Sequence, residues 1–158
     1  MATIGFDTHN HTSCISNAVV SARDACAKAG LRLTPVRERV LEILLQEHRA
    51  MGAYDVLDRL REEGLGSQPP VIYRALEFLV SNGFVHRVER LNAFIACARP
   101  GEAHAPAFLI CRKCSGVAEA TGSQMGSGLG KLANDAGFEI ESTVVEAEGI
   151  CPNCRKSE

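Results

Sequence analysis

No run of apolar residues in this 158-residue chain approaches the roughly 18 to 20 needed to cross a bilayer. The opening MATIGFDTHNHTSC also lacks the basic-then-apolar order of an export signal. The expectation is therefore a cytoplasmic protein with no membrane partner. A charge excess is missing too: 17 basic residues face 19 acidic ones, for a net charge of −2. Splitting the chain at Cys97 gives 11 basic against 11 acidic residues before it and 6 against 8 after it. Bulk charge thus does not announce a nucleic-acid binder, although clustered arginines suffice, because phosphate affinity depends on the charges that face the duplex. No His-x-Glu occurs anywhere, and neither Cys-x-x-Cys pair is preceded by proline. That excludes the zinc nucleobase deaminases. No other catalytic constellation stands out, and the chain is not expected to be an enzyme.

What is present is an ordinary globular composition, 46% apolar and 23% charged, enough for one or two small cores. The informative residue is cysteine, with seven copies. Without an export signal, paired Cys-x-x-Cys motifs point to metal ligation or thiol redox chemistry rather than to disulfides.

Residues 1–16 carry small and polar side chains without periodicity and read as a loose arm. Helical spacing begins with Ala18, Ala22, Ala25 and Cys26, predicting a helix from Asn17 to Ala29 that Gly30 stops. Thr34 and Pro35 form an N-cap with proline at the first helical position, followed by an apolar stripe of Val36, Val40, Leu41, Ile43 and Leu44. A third helix is expected over Ala53–Glu63 before Gly64, and a fourth from near Pro70 to a stop at Asn82-Gly83. Phe84–Arg90 and Ala93–Ala96 alternate around Leu91-Asn92 as a hairpin. Helix-turn-helix plus hairpin predicts a winged helix over residues 17–97.

Past Cys97 the stretch ARPGEAHAP reads as a hinge, residues 98–105, leading into a second domain over 106–158. That domain is expected to be α/β. Short strands fall at Phe108-Leu109-Ile110 and Val117-Ala118, a helix over Gln124–Ala136, and a longer strand over Phe138–Glu148. The fold class is α+β.

Cys111-Arg112-Lys113-Cys114 and Cys151-Pro152-Asn153-Cys154 supply four thiolates at a spacing that suits tetrahedral Zn²⁺ with bonds of about 2.3 Å. A closed four-thiolate shell has no open position, so the ion would be structural, tying the last strand to the first. The competing reading is a redox pair using Cys111 and Cys114. Thioredoxin-like motifs open a helix, however, and neither pair here is expected to do so. A pure interaction module with only structural zinc is a third reading.

With those cysteines assigned, the remaining good zinc ligands of the C-terminal two-thirds are His86, Cys97, His104 and Glu119, which straddle the hinge. Two imidazoles, one thiolate and one carboxylate offset the charge of Zn²⁺. An ion held by all four would join the two domains. The plainer alternative is a solvated or packed histidine near a hinge. His9, His11 and Cys14 also offer donors, but on an arm with no preorganisation they bind weakly. Cys26 reads as a small apolar core residue.

RLTPVRERVLEIL, AYDVLDRLRE, PPVIYRALEFLVSNGFVHRVE and the spaced CRKC and CPNC closely resemble the ferric uptake regulator superfamily, specifically its zinc uptake regulator branch, over roughly residues 17–155. The resemblance implies a dimeric repressor whose zinc-loaded form binds a palindromic, AT-rich double-stranded DNA operator and shuts off zinc-uptake genes. It puts structural zinc on Cys111, Cys114, Cys151 and Cys154 and regulatory zinc on His86, Cys97, His104 and Glu119, about two ions per chain. It also implies that Tyr73 and Arg74 lie on the helix that enters the major groove, with Tyr54 as a second DNA contact. Asp58 and Arg61 match positions that, in relatives, bridge neighbouring dimers on one operator. The histidine-rich stretch of the iron branch is absent before Cys111, where the chain reads HAPAFLIC. A relative sensing another metal or peroxide would share the fold with different ligands, and Cys97 favours zinc over manganese.

Overall fold

The structure is a computed structural model that describes residues 3, 4, 6, 11–47, 49–65, 68–102, 104–120 and 127–157. The chain divides into two compact units, Asp7–Gly101 and a second that joins Glu102–Glu158 with Met1–Phe6. The division falls inside the expected hinge. No described helix is long and apolar enough to cross a membrane.

The first unit holds α1 (His11–Lys28), α2 (Pro35–Gln46), α3 (Ala53–Glu62) and α4 (Pro69–Ser81), then a two-stranded wing of β2 (Val85–Val88) and β3 (Ala93–Ala96). Local chemistry sets the boundaries. Thr34 caps α2 by accepting from the Arg37 N–H at 3.4 Å, and Pro35 follows with no donor to leave unsatisfied. Asp55 accepts from the Gly52 N–H at 3.2 Å and closes the start of α3. Gly64 and Gly83 end α3 and α4 at φ +75°, a conformation that costs glycine little. In the wing turn, a 3₁₀ turn over Glu89–Leu91 leads to Asn92 at φ 46°, whose side chain accepts from Arg87 at 2.9 Å.

The core of this unit is the apolar stripes of α2, α3 and α4, with Val40, Ile43, Val56, Leu60 and Leu79 all at 0% exposure. Outside it, the Arg39 guanidinium bonds Glu63 at 2.6 and 2.7 Å and Glu42 at 2.6 Å, clamping α2 to the end of α3. Arg37 lies 3.8 Å above the Phe78 ring, a cation–π contact between α2 and α4. Ile43→Ala is expected to lower unfolding stability by about 2–5 kcal/mol, since the three surrounding helices cannot close on the cavity. A urea melt checks this, and a loss below about 1 kcal/mol would mean the site collapses freely.

The second unit is a four-stranded sheet in the order β1-β5-β4-β6, built from β1 (Thr3–Ile4), β4 (Ala107–Cys111), β5 (Val117–Ala120) and β6 (Val145–Gly149). It is accompanied by α5 (Ser127–Asp135) and the single-turn α6 (Pro152–Arg155). Strand β4 pairs antiparallel with β5 and parallel with β6, residue for residue from Ala107↔Val145 to Cys111↔Gly149. Phe108, Ile110, Val117 and Ala118 form its core.

Three expectations need correction. Helix α1 starts at His11, six residues before Asn17, and β1 pairs with β5, so the described part of 1–16 is not a loose arm. Its first turns bury no apolar stripe, so periodicity could not find them. The strand expected over Phe138–Glu148 is confined to Val145–Gly149, because five-residue β4 offers only five partners. Finally, Cys151 does open a helix: it is the N-cap of α6.

Candidate metal centre

Cys111 ends β4, and Cys151 follows β6, its parallel neighbour, so pairing of these strands brings the two Cys-x-x-Cys turns side by side. The first turn is closed by Ser115, at φ 58°, donating its N–H to the Cys111 carbonyl at 2.9 Å, and by the Cys111 N–H bonding Gly116 at 2.9 Å. The second is α6. All four sulfurs lie within 4.8 Å of one another, and none is in a disulfide. Cys114 Sγ and Cys151 Sγ are 3.8 Å apart. That matches the edge of a tetrahedron with metal–sulfur bonds of about 2.3 Å, an edge of about 3.8 Å.

The protonation chemistry fits the same ion. Backbone donors, first the Cys151 N–H at 3.3 Å from Sγ, push the Cys111 thiol down to about 6. Cys154 is pushed up to about 12, first by its bond with the Cys151 sulfur and then by burial and the other thiols. Four thiols this close cannot all ionise without a cation among them. Zn²⁺ would supply that charge, and Arg112, Lys113, Arg155 and Lys156 lie in or beside the two turns in sequence. This convergence, rather than the lack of a helix, sets the cluster apart from a two-cysteine redox motif.

The other four candidate ligands form two pairs, one in each unit. In the wing, Cys97 donates its backbone N–H to Phe84 at 2.9 Å, extending the β2–β3 ladder by one residue. Phe84 and His86 share a face of β2, so Cys97 and His86 are diagonal neighbours on that face. Cys97 is buried and His86 half-buried. In the second unit, His104 Nε2 lies 2.7 Å from Glu119 Oε1, and its Nδ1 lies 2.7 Å from the Glu102 carbonyl. Glu119 is 3% exposed and sits between Phe108 of β4 and Ile4 of β1. Burial lowers the His104 pKa, but the Glu102 carbonyl and the Glu119 carboxylate outweigh it, so the imidazole ends above its ordinary value. A neutral ring that keeps Nδ1–H on the Glu102 carbonyl leaves the Nε2 lone pair for a cation, as metal-binding histidines require. His104 stands out in the sequence by residue type, whereas the Glu102 carbonyl does not, since a backbone acceptor leaves no trace there.

The chain has two tyrosines, and both are at least half exposed: Tyr54 at 61% in the first turn of α3 and Tyr73 at 50% near the start of α4. They line one shallow apolar hollow with Ala53, Leu57, Pro69 and Ile72. Arg74 is exposed beside Tyr73, while Ile72, Ala75, Leu76 and Leu79 turn the other face of α4 into the core. Asp58 and Arg61 are exposed on α3, 3.8 Å apart. Cys14 is exposed on α1 and Cys26 is buried, while His9 lies outside the described residues.

The chain matches the ferric uptake regulator family model over residues 28–148. It is 38% identical over 137 residues to the zinc uptake regulation protein of Escherichia coli strain K12, covering 86% of this chain and 80% of that protein. Identity to the zinc uptake regulation protein of Mycobacterium tuberculosis strain H37Rv is 27% over 127 residues, 80% of this chain and 97% of that one. A solved zinc uptake regulator complexed with zinc and DNA aligns with a TM-score of 0.86 at 36% identity, over 90% of this chain and 96% of that chain. Agreement across both the helical half and the cysteine-bearing half places this protein in the ferric uptake regulator family, in its zinc uptake regulator branch.

Proposed function

We propose that this chain is a zinc-responsive transcriptional repressor that, as a zinc-loaded homodimer, binds a palindromic, AT-rich operator and represses zinc-uptake genes. About two zinc ions serve each chain: a structural one on Cys111, Cys114, Cys151 and Cys154, and a regulatory one on His86, Cys97, His104 and Glu119. The observation that carries the regulatory role is the division of those last four donors, His86 with Cys97 in the wing unit and His104 with Glu119 in the other. A shell completed from both pairs ties the DNA-reading unit to the other one. The coupling works only if the joined form binds zinc more tightly, since equal affinity for both forms shifts nothing.

Dimerisation suits the second unit, where Leu129 and Leu132 of α5, Phe138 after it and Val144 before β6 are 47–67% exposed and offer apolar side chains for a second copy to cover. On the first unit, Tyr73 and Arg74 project from α4 toward the major groove, and Tyr54 adds a contact from α3. Arg74 has the planar fork that matches guanine O6 and N7. Asp58 and Arg61 are placed to pair with a second dimer on the same operator, since their own 3.8 Å contact is exposed and weak.

The reading is tested by zinc stoichiometry together with binding to an AT-rich palindrome as free zinc is titrated with a buffering chelator. Two zinc per chain, with DNA affinity following the second, supports it. One tight zinc with zinc-independent binding reduces the protein to a zinc-stapled interaction module. Arg74→Ala is expected to weaken operator binding by about 1–3 kcal/mol and to relax preference at one base pair. Equal losses on specific and random duplexes would instead make Arg74 a phosphate contact.

A further inference from the structure

The four cysteines are unequally protected. Cys111 and Cys151 are buried, Cys154 is half-buried, and Cys114 is exposed. Near the first cysteine turn lies a segment whose sequence reads as a loose arm. Strand β1 pairs with the outer edge of β5, Thr3 opposite Ala120 and Ile4 opposite Glu119, and this delivers Phe6 to the first cysteine turn. A methyl group placed on Gly116 would lie 3.2 Å from Cys114 Sγ and 3.6 Å from Phe6 Cε1, so thiol and ring edge flank one point that only glycine leaves open. The Asn153 side chain, inside the second cysteine turn, donates to the Phe6 carbonyl at 3.2 Å. Phe6 also lines a hollow of about 350 Å³ with Ile110, Cys111, Gly149, Cys151 and Pro152. The strand is thus anchored to the sheet at one end and tied to the ligand loop at the other.

We propose that this N-terminal strand is a strap over the open face of the cysteine site, and that Phe6, held by Asn153, governs how fast zinc enters and leaves. The proposal rests on the reading of Cys111, Cys114, Cys151 and Cys154 as a zinc site. Exchange of a four-thiolate ion requires an incoming ligand to reach the metal or a sulfur to swing away, and both need space beside Cys114. An aromatic ring on the far side of Gly116 from that sulfur narrows the approach to it, in the way an apolar shell limits access to a metal. Phe6 is a positioning residue here: it ligates nothing.

The test uses the full-length, zinc-loaded protein and follows zinc transfer to the chromophoric chelator 4-(2-pyridylazo)resorcinol, in wild type, Phe6→Ala, Phe6→Leu and Asn153→Ala. Zinc affinity by competition and thermal melting are measured on the same samples. Phe6→Ala is expected to speed release of the more slowly lost zinc roughly ten-fold, with affinity and melting little changed. Asn153→Ala should fall in between, and Phe6→Leu should restore the slow rate. A release rate within about two-fold of wild type overturns the strap. So does an acceleration matched by an equal loss of affinity and not rescued by leucine, because that is ordinary destabilisation. If wild type itself carries no tightly bound zinc, the cysteine-site reading fails and the strap with it, an outcome distinct from a zinc-loaded protein whose rate ignores Phe6.

Discussion

Serine in place of Cys151 is expected to give a protein with one zinc fewer per chain and a second unit that no longer melts cooperatively. Cys151 is 4% exposed and stands at the centre of the cluster: its N–H bonds Cys111 Sγ, its sulfur accepts from the Cys154 N–H at 3.5 Å, and that sulfur lies 3.8 Å from Cys114 Sγ. A hydroxyl is a poor zinc ligand, and its shorter bond leaves it short of the position that the sulfur fills. The unit around it is a small sheet with few large core residues, the size class that needs a metal or another staple to stay folded. Structural zinc contributes roughly 10–16 kcal/mol in small zinc domains, comparable with the whole stability of an ordinary domain.

The two units can be followed separately. Tryptophan is absent and both tyrosines sit in the helical unit, so the near-ultraviolet tyrosine signal reports that unit, while far-ultraviolet dichroism reports both. The expected result is an unchanged tyrosine transition beside a loss of cooperative sheet signal, with chelation of the wild type giving the same pattern. A Cys151→Ser protein that keeps its zinc and its melting curve would remove the structural role from this cluster.

Much of this molecule is legible in residue order because local chemistry and tertiary packing agree there. Thr34-Pro35 marks the start of α2 through a cap and a missing donor, and Gly64 and Gly83 mark helix ends through a backbone conformation that other residues resist. The paired cysteine turns are legible for a related reason: a tetrahedral ion would need those atoms at that spacing. What escaped depends on partners remote in sequence. The first turns of α1 carry no apolar stripe, and 138–144 alternates like a strand but has no strand beside it among the described residues. Phe6 looks like a stray aromatic in a polar tail until β1 pairs with β5, more than 100 residues away, and its ring comes beside Gly116 in the first cysteine turn. The Cys-x-x-Cys at Cys151 opening a helix shows the limit of motif context, since a metal knuckle and a redox turn share that local geometry. Only the convergence of four sulfurs tells them apart.

Serine at Cys97 is expected to have the opposite signature from serine at Cys151: an intact fold, one zinc retained, and operator affinity that no longer rises with free zinc. Cys97 is 5% exposed, yet it contributes to the wing ladder through its backbone, donating to Phe84, and a serine backbone does the same. The hairpin with Val85↔Ala96 and Val88↔Ala93 should therefore persist. What the substitution would remove is the thiolate of the proposed ligand set of two imidazoles and one carboxylate, the donor that most favours zinc over harder cations. In the wild type, coupling of a size usual for effectors predicts a rise in DNA affinity of roughly 5- to 150-fold on filling the regulatory site. In Cys97→Ser that factor should fall toward one, with affinity resting at the low-zinc level, as measured by anisotropy on a labelled AT-rich palindrome at buffered free zinc. Since the cysteine-site ion remains, unfolding cannot account for the loss. A Cys97→Ser protein whose binding still follows zinc as the wild type does would show that His86, Cys97, His104 and Glu119 do not form the switch, and would return His104 and Glu119 to a buried hydrogen-bonded pair.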